Sequence, residues 1–431
     1  MVAAKTSRWA LNLETALFAF STLLAGGFSF AAESGNWPNW RGPDDSGSTQ
    51  AGEFPTQLDP ARVLWKAPLP GKGCSTPIVW NRRVYLTAPV GGQDALLAYD
   101  WTGKLLWQTK LGGESAGRHR NGSGSNPSPV TDGKGLLVTF KSGNLAALNF
   151  DGTIRWQANL VEKFGPVRLY WDYGTSPALT EKDVIVARIH SGESWVAAFD
   201  KVTGEMRWKT ARNYETPREG DQSYTTPLVI QHAGREAVLV WGAEHLTLHD
   251  AADGEVLWSC GNFNPGAVPN WPNVATPVIA NGVAVICFGR ADRGQPRLHG
   301  VKLGGKGDVT ATHRAWMRED AGAFVPSPAE YKGLVYVLSD RGQVDCLEPA
   351  SGKTVWSESL PRASSNYYAS PLVAGGNLYA AREDGAVFVV RVEGGFRLLA
   401  ENKFADRIIA SIVPAADRLF IRGEANLYCL A

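Results

Sequence analysis

The side chains that could carry chemistry are scattered along the 431 residues. The seven histidines are His119, His190, His232, His245, His249, His299 and His313. His245 and His249 stand four apart, which would align them on a helix, but the residues around them alternate as a strand and turn do. The five cysteines, Cys74, Cys260, Cys287, Cys346 and Cys429, include no CxxC pair, so neither a zinc site nor a redox dithiol is expected. Neither HExxH nor a phosphate-binding loop occurs. What does recur is clusters of aromatic, amide and charged residues. They are Arg118-His119-Arg120-Asn121 with Asn126, Tyr170-Trp171-Asp172-Tyr173, and Asn213-Tyr214 with Asp221-Gln222-Ser223-Tyr224. Further along come Asn262-Phe263-Asn264 with Asn270-Trp271-Pro272-Asn273, then Phe324 and Asn366-Tyr367-Tyr368. Rigid aromatic rings beside amides suit recognition of a peptide, a glycan or a protein.

These clusters sit at fixed places in a repeat. Ser/Thr-Pro followed by apolar residues recurs at Thr76-Pro77, Ser128-Pro129, Ser176-Pro177, Thr226-Pro227, Thr276-Pro277, Ser327-Pro328 and Ser370-Pro371. An altered eighth copy is Ser411-Ile412. Each unit continues with a short strand, a turn, a second strand, a third strand of the Ala-Leu-Asp kind, a glycine turn and a tryptophan strand. Gly103 and Trp107, Gly152 and Trp156, Gly204 and Trp208, Gly254 and Trp258, and Gly352 and Trp356 are each four apart. The constant offset puts every Trp on the same face of its strand. Four strands per unit make a propeller blade, so eight units predict an all-β, eight-bladed β-propeller of four-stranded antiparallel blades. The eighth unit stops at Leu427–Leu430, after its third strand, and Val63-Leu64-Trp65-Lys66 supplies an outer strand at the other end. The expectation is a ring closed by this N-terminal strand, with Trp65, Trp107, Trp156, Trp208, Trp258 and Trp356 as wedges between blades. The segments from each Trp strand to the next Ser/Thr-Pro then open onto one end of the central channel, and these carry the clusters above. Two readings of the clusters stand side by side: a ligand-binding rim, or packing that fills the funnel of a wide ring.

Whole-chain properties bound the function. The formal charge is +1. Lys5, Arg8 and Glu14 lie within residues 1–31, so the rest of the chain carries 41 basic and 41 acidic residues and is neutral. No nucleic-acid surface is expected. Lys5 and Arg8, the apolar run from Ala16 to Phe30 and Ser29-Phe30-Ala31 read as a signal peptide over 1–31, too short for a membrane span. The chain divides into that signal, an N-terminal extension over 32–59 and one propeller over 60–431. A soluble, monomeric protein of the periplasm or cell envelope is expected, without a transmembrane span.

The repeat, with Asp100-Trp101-Thr102-Gly103-Lys104-Leu105-Leu106-Trp107 as its plainest copy, resembles the PQQ-like propeller repeat of quinoproteins. Trp37-Pro38-Asn39-Trp40-Arg41-Gly42-Pro43 is similar to the leader of exported bacterial PQQ-like propeller proteins, a group akin to the outer-membrane assembly lipoprotein of the BamB type. That resemblance implies a scaffold holding an envelope protein or a small ligand, with no cofactor. The lipid-attachment cysteine of that type is missing. The enzymatic members of the wider family imply an alternative, a PQQ-dependent dehydrogenase using calcium, an adjacent cysteine pair and an Asp base. This chain has no Cys-Cys pair, and Asp172, Asp221, Glu244 and Asp292 are the carboxylates such an enzyme would have to use. A structural module of a larger envelope complex is the third reading.

Overall fold

The computed structural model describes residues 1–2, 35–59 and 62–431. The predicted signal lies outside the described residues from residue 3 onward. Residues beyond it form eight antiparallel sheets arranged as an eight-bladed propeller. Blade 1 is Ile78–Trp80, Arg83–Pro89, Gln93–Tyr99 and Leu105–Gly113, from the channel outward. Blade 8 takes Val413–Ala415, Arg418–Arg422 and Asn426–Leu430 from the end of the chain. Its outer strand is Val63–Pro68, antiparallel to Asn426–Leu430 with Trp65 opposite Cys429.

The Ser/Thr-Pro pairs build the hub. The backbone N–H of each Ser or Thr donates to the hydroxyl oxygen of its counterpart in the next blade. Thr76 donates to Ser128 at 2.9 Å, Ser128 to Ser176 at 2.9 Å, Ser176 to Thr226 at 3.2 Å and Thr226 to Thr276 at 3.0 Å. Thr276 donates to Ser327 at 2.9 Å, Ser327 to Ser370 at 3.0 Å and Ser370 to Ser411 at 3.2 Å. Ser411 donates back to Thr76 at 3.1 Å. The proline explains itself here: it holds the preceding residue extended and brings no second N–H into a crowded channel. In blade 8, Ile412 replaces proline but Ser411 keeps the hydroxyl, so the ring is unbroken.

The glycine-to-tryptophan spacing has an inter-blade meaning that its regularity within each unit conceals. Each Trp lies on the glycine turn of the following blade. A Cβ on Gly103 would come within 2.5 Å of the Trp65 ring, and the same pairing joins Gly152 to Trp107, Gly204 to Trp156 and Gly254 to Trp208. These four indole N–H groups donate to carbonyls of Trp101, Phe150, Lys201 and Ala251. Trp316, in the fifth blade, docks on Gly352 and donates to the Pro349 carbonyl in the same way. Two blades depart. The long hairpin of blade 5 lays Gly307–Asp308 beside Val256–Cys260 as a fifth strand, so Trp258 is covered by a strand and its N–H has no acceptor. Trp356 meets Phe396 edge-on at 5.7 Å.

Residues 35–59 cross the channel end opposite the Trp-to-Pro loops. Trp37 exchanges two backbone hydrogen bonds with Val79 of blade 1, and Ser48–Thr49 runs parallel to Leu372–Ala374 of blade 7. Between them Arg41, 3% exposed, reaches up the channel. Its guanidinium donates to the carbonyls of Pro371 at 3.0 Å and Pro328 at 2.7 Å, beside the hub hydroxyls. Burial lowers its pKa to about 9, against the pull of Asp45. Replacing Arg41 with Met leaves both carbonyls without donors, and the loss expected in chemical denaturation is about 2 kcal/mol. An unchanged unfolding midpoint would contradict the anchoring role.

Between blades 4 and 5 the core encloses Trp241, Phe263, Trp271 and Phe288. His299 lies among them, 1% exposed, 4.9 Å from Phe263, with neither ring nitrogen hydrogen-bonded. Burial, aided by Arg314 and Arg297, lowers its pKa to about 3. The unfolded chain takes up this proton as pH falls below about 6.5, and the native state does so only near 3. Stability is therefore lost as pH falls through that window, by about 2 kcal/mol at pH 5 from this group. Denaturation at pH 7.5 and 5 should show His299→Leu losing about 2 kcal/mol less than the parent across this interval. Identical losses in the two proteins would refute the assignment.

Candidate functional site

The loops leaving the outer strands converge on the channel mouth, and their geometry rests on a few buried polar anchors. Asp172, 4% exposed, accepts from the backbone N–H groups of Arg118 and His119 and pairs with Lys141 Nζ at 2.7 Å. Burial alone would push its pKa up, but the Lys141 hydrogen bond and the two N–H donors outweigh it and hold the carboxyl below its usual range. This ties the loop after blade 1 to the loop after blade 2. The His119 and Trp171 rings meet edge-on at 4.3 Å, and Tyr170 meets Trp171 at 4.9 Å. The backbone beneath is pinned by Tyr224, whose Oη accepts from the Trp171 N–H at 2.8 Å, and by Gln222, whose side-chain oxygen accepts from the Tyr170 N–H at 2.7 Å. Asn273 then joins this group to the loop after blade 4 by donating to the Gly220 and Gln222 carbonyls.

The loop after blade 1 also reaches the other way. Arg120 pairs with Glu383 of blade 7 at 3.0 Å, and Arg407 pairs with the same oxygen at 2.9 Å while also binding Asn121. Lys72 donates to the Arg120 carbonyl at 2.6 Å. Burial raises the pKa of Glu383, but the Asn366 N–H and the two arginines more than reverse it. One loop thus touches the loop after blade 2 through His119 and blade 7 through Arg120.

The sequence-predicted residues divide by burial. Asp172, Tyr173, Trp271, Asn273, Phe324 and Tyr367 are buried and turned to the protein itself. Tyr173 donates to the Ala187 carbonyl, Trp271 lies under Arg297 and donates to Gln295, and Phe324 lies under Arg290. His119, Arg120, Asn126, Trp171, Asp221, Tyr224, Asn270, Asn366 and Tyr368 keep some exposure. Asn126 accepts from Ser123, Asn270 from Arg218, and Asn366 donates to Tyr368.

Sequence reasoning missed Lys141, Glu383 and Glu424. All three sit in turns between second and third strands, which open on the same end as the loops after the outer strands. That position could have been read from the repeat grammar, because it lies two strands after each Ser/Thr-Pro. His245 and His249 are both on the strand His245–Asp250. His249 is buried and bonded to Thr247, while His245 stacks on Tyr214, so the two do not share a site.

The carboxylates a quinoprotein reading needs do not converge. Asp172 is spent on Lys141, Asp292 forms a bidentate pair with Arg290, and Glu244 accepts from Asn264. A calcium ion needs six or more oxygens around it, and no group of three or more His, Cys, Asp or Glu side chains among the described residues is placed to hold a metal. These residues do not fit the calcium-PQQ pair.

Among the described residues no helix is long and apolar enough to cross a membrane. The chain is 22% identical over 355 residues to the outer membrane protein assembly factor BamB of Moranella endobia (strain PCIT), covering 80% of this chain and 82% of that one. It is 25% identical over 310 residues to the BamB of Yersinia pestis, covering 68% and 65%. A solved structure, a europium-containing methanol dehydrogenase, superposes with a TM-score of 0.68 at 12% identity, over 92% of this chain and 91% of that one. The family model described as outer membrane protein assembly factor BamB matches residues 52–259, 152–292 and 305–398. With most of its length matched, and with the PQQ-like repeat read from its blades, the chain belongs to that family.

Proposed function

We propose that this protein is an exported, non-catalytic scaffold that holds a partner protein of the cell envelope on its channel mouth, acting after cleavage of the 1–31 signal as a soluble monomer. The names of its relatives, outer membrane protein assembly factors, support the class of partner. The observation that carries the reading is the aromatic step formed by His119, Trp171 and Tyr170. Tyr170 is 64% exposed although the backbone beneath it is pinned by Gln222 and Tyr224. An exposed ring on an ordered base contributes contact area at small entropic cost, which is how aromatic anchors dominate protein interfaces. Arg120, Asn126, Asp221, Tyr224, Asn270, Asn366 and Tyr368 are proposed as the polar part of the wider channel-mouth surface.

The test is affinity for the envelope partner, identified by crosslinking in the native envelope and then measured with purified components. Trp171→Ala and Tyr170→Ala should each weaken binding roughly thirtyfold, the loss of about 2 kcal/mol typical of an anchor. Leu106→Ala, on the outer strand of blade 1, should leave it unchanged. Equal affinity for the parent and both aromatic variants would overturn the proposal.

A further inference from the structure

A second concavity lies on the same face, over blade 4, with a volume of about 530 Å³. Its lining includes Glu215 and Thr216 from the loop after blade 3, Glu244 from the turn between the second and third strands of blade 4, His245 at the start of that third strand, and Asn262 and Asn264 from the loop after the blade. No lysine or arginine lines it. Glu244 is 7% exposed, and the hydrogen bond it receives comes from Asn264 Nδ2 at 2.8 Å. Burial raises its pKa, and no cation opposes that effect. Neither Glu244 nor Glu215 has an ion-pair partner among the described residues. A carboxylate this deep without a counter-charge is costly, since the solvation it loses is replaced by one amide.

The backbone here is built to hold that arrangement. Glu219, Ala243, Glu244, Asn262, Ala267 and Asn270 all have left-handed φ, six of the thirteen non-glycine residues that do among the described residues. The other seven include the tight turns between first and second strands at Asn81, Arg82, Ala233, Asn281, Lys332 and Ala416, at the far end of the blades. Three of the six, Glu244, Asn262 and Ala267, line the groove, and such strain persists where the surrounding structure enforces it. Gly220 belongs to the same device: a Cβ there would come within 2.7 Å of Glu244 Oε1. Asn264 is locked in turn, because its side chain also donates to the Val268 carbonyl and accepts from the Val268 N–H.

We propose that this groove receives a lysine or arginine side chain of the partner protein, with Glu244 as the counter-charge at its floor and Glu215 at its rim. The inference rests on the scaffold reading and gives it a chemical specificity. The groove is open rather than enclosed, so the cation belongs to a chain lying across the face. Thr216 adds a hydroxyl acceptor, and His245 hydrogen-bonds through Nδ1 to the Ala243 carbonyl, which leaves its other nitrogen as an acceptor.

The probe is the hexapeptide Ser-Gly-Lys-Lys-Gly-Ser, compared with its norleucine counterpart by isothermal titration into the full chain at low salt. The lysine peptide should bind at least tenfold more tightly. Glu244→Gln should abolish that preference, because Gln still accepts from Asn264 but carries no charge. Glu215→Gln, a change at the exposed rim, should reduce the preference without touching the fold. The proposal is overturned if the two peptides bind alike, if Glu244→Gln retains the preference in a variant that melts as the parent does, or if Glu215→Gln leaves the preference intact. Trp171→Ala separates the two readings: it should weaken the envelope partner and spare the lysine peptide. Failure of the peptide preference alone removes the groove, whereas partner affinity that survives Trp171→Ala removes the scaffold surface.

Discussion

Every feature of the mouth is referred to one ring of eight hydrogen bonds between backbone N–H groups and Ser or Thr hydroxyls. Each bond contributes only about 1 kcal/mol, but the ring is cyclic, so each link is constrained by the other seven. Its radius is set by strand starts held at hydrogen-bonding distance, 2.9 to 3.2 Å apart donor to acceptor. The hub is closed by Ser411 donating to Thr76, and the rim by Val63–Pro68 pairing with Asn426–Leu430. These two closures act at different radii on the same blade and oppose both twisting and splaying. Each mouth loop ends on a hub residue, so its base is fixed before any loop contact is made.

The repeat was legible because both of its signals are local and periodic. Ser/Thr-Pro and the Gly-to-Trp offset of four residues are visible in one unit and confirmed by the next. Their partners were less visible. Gly152 docks on Trp107, not on the Trp156 that follows it, and no feature within one unit distinguishes those pairings. The extension was harder still. Trp37 and Arg41 contact Val79 and Pro371, one near in sequence and the other more than three hundred residues away, and an irregular segment has no period to read. At the mouth, composition found the loops but could not sort them. Trp171 and Trp271 sit in similar aromatic and amide surroundings in sequence. Trp271 is covered by Arg297 and Gln295 from a neighbouring strand, and Trp171 is half-buried between the His119 and Tyr170 rings.

The same limit explains the treatment of buried charge. Arg41, Arg212 and Arg422 are each at most 3% exposed and donate to backbone carbonyls rather than carboxylates. Arg188 lies 5.3 Å over the Tyr173 ring with no hydrogen-bond partner on its guanidinium. In a propeller the carbonyls at strand ends point into the channel and between blades, so arginine can be accommodated there without an acid. Such residues act as packing in the structure. Glu244 is the opposite case. No ladder of N–H groups surrounds it, and its desolvation is offset by one amide.

The crossing loop after blade 1 decides what kind of ligand suits this mouth. Asp172 and Lys141 hold it on one side, and Glu383 and Arg407 hold it on the other. A small molecule entering the channel would have to displace ion pairs whose carboxylates are nearly buried, and each broken pair would leave a charge uncompensated. A protein lying on the face, as proposed above, would meet no such barrier, because Tyr170 already stands exposed on its pinned loop. On the scaffold reading proposed above, the same ion pairs would make the mouth a stable platform, offering an aromatic anchor and an unneutralised carboxylate to one partner at the same time.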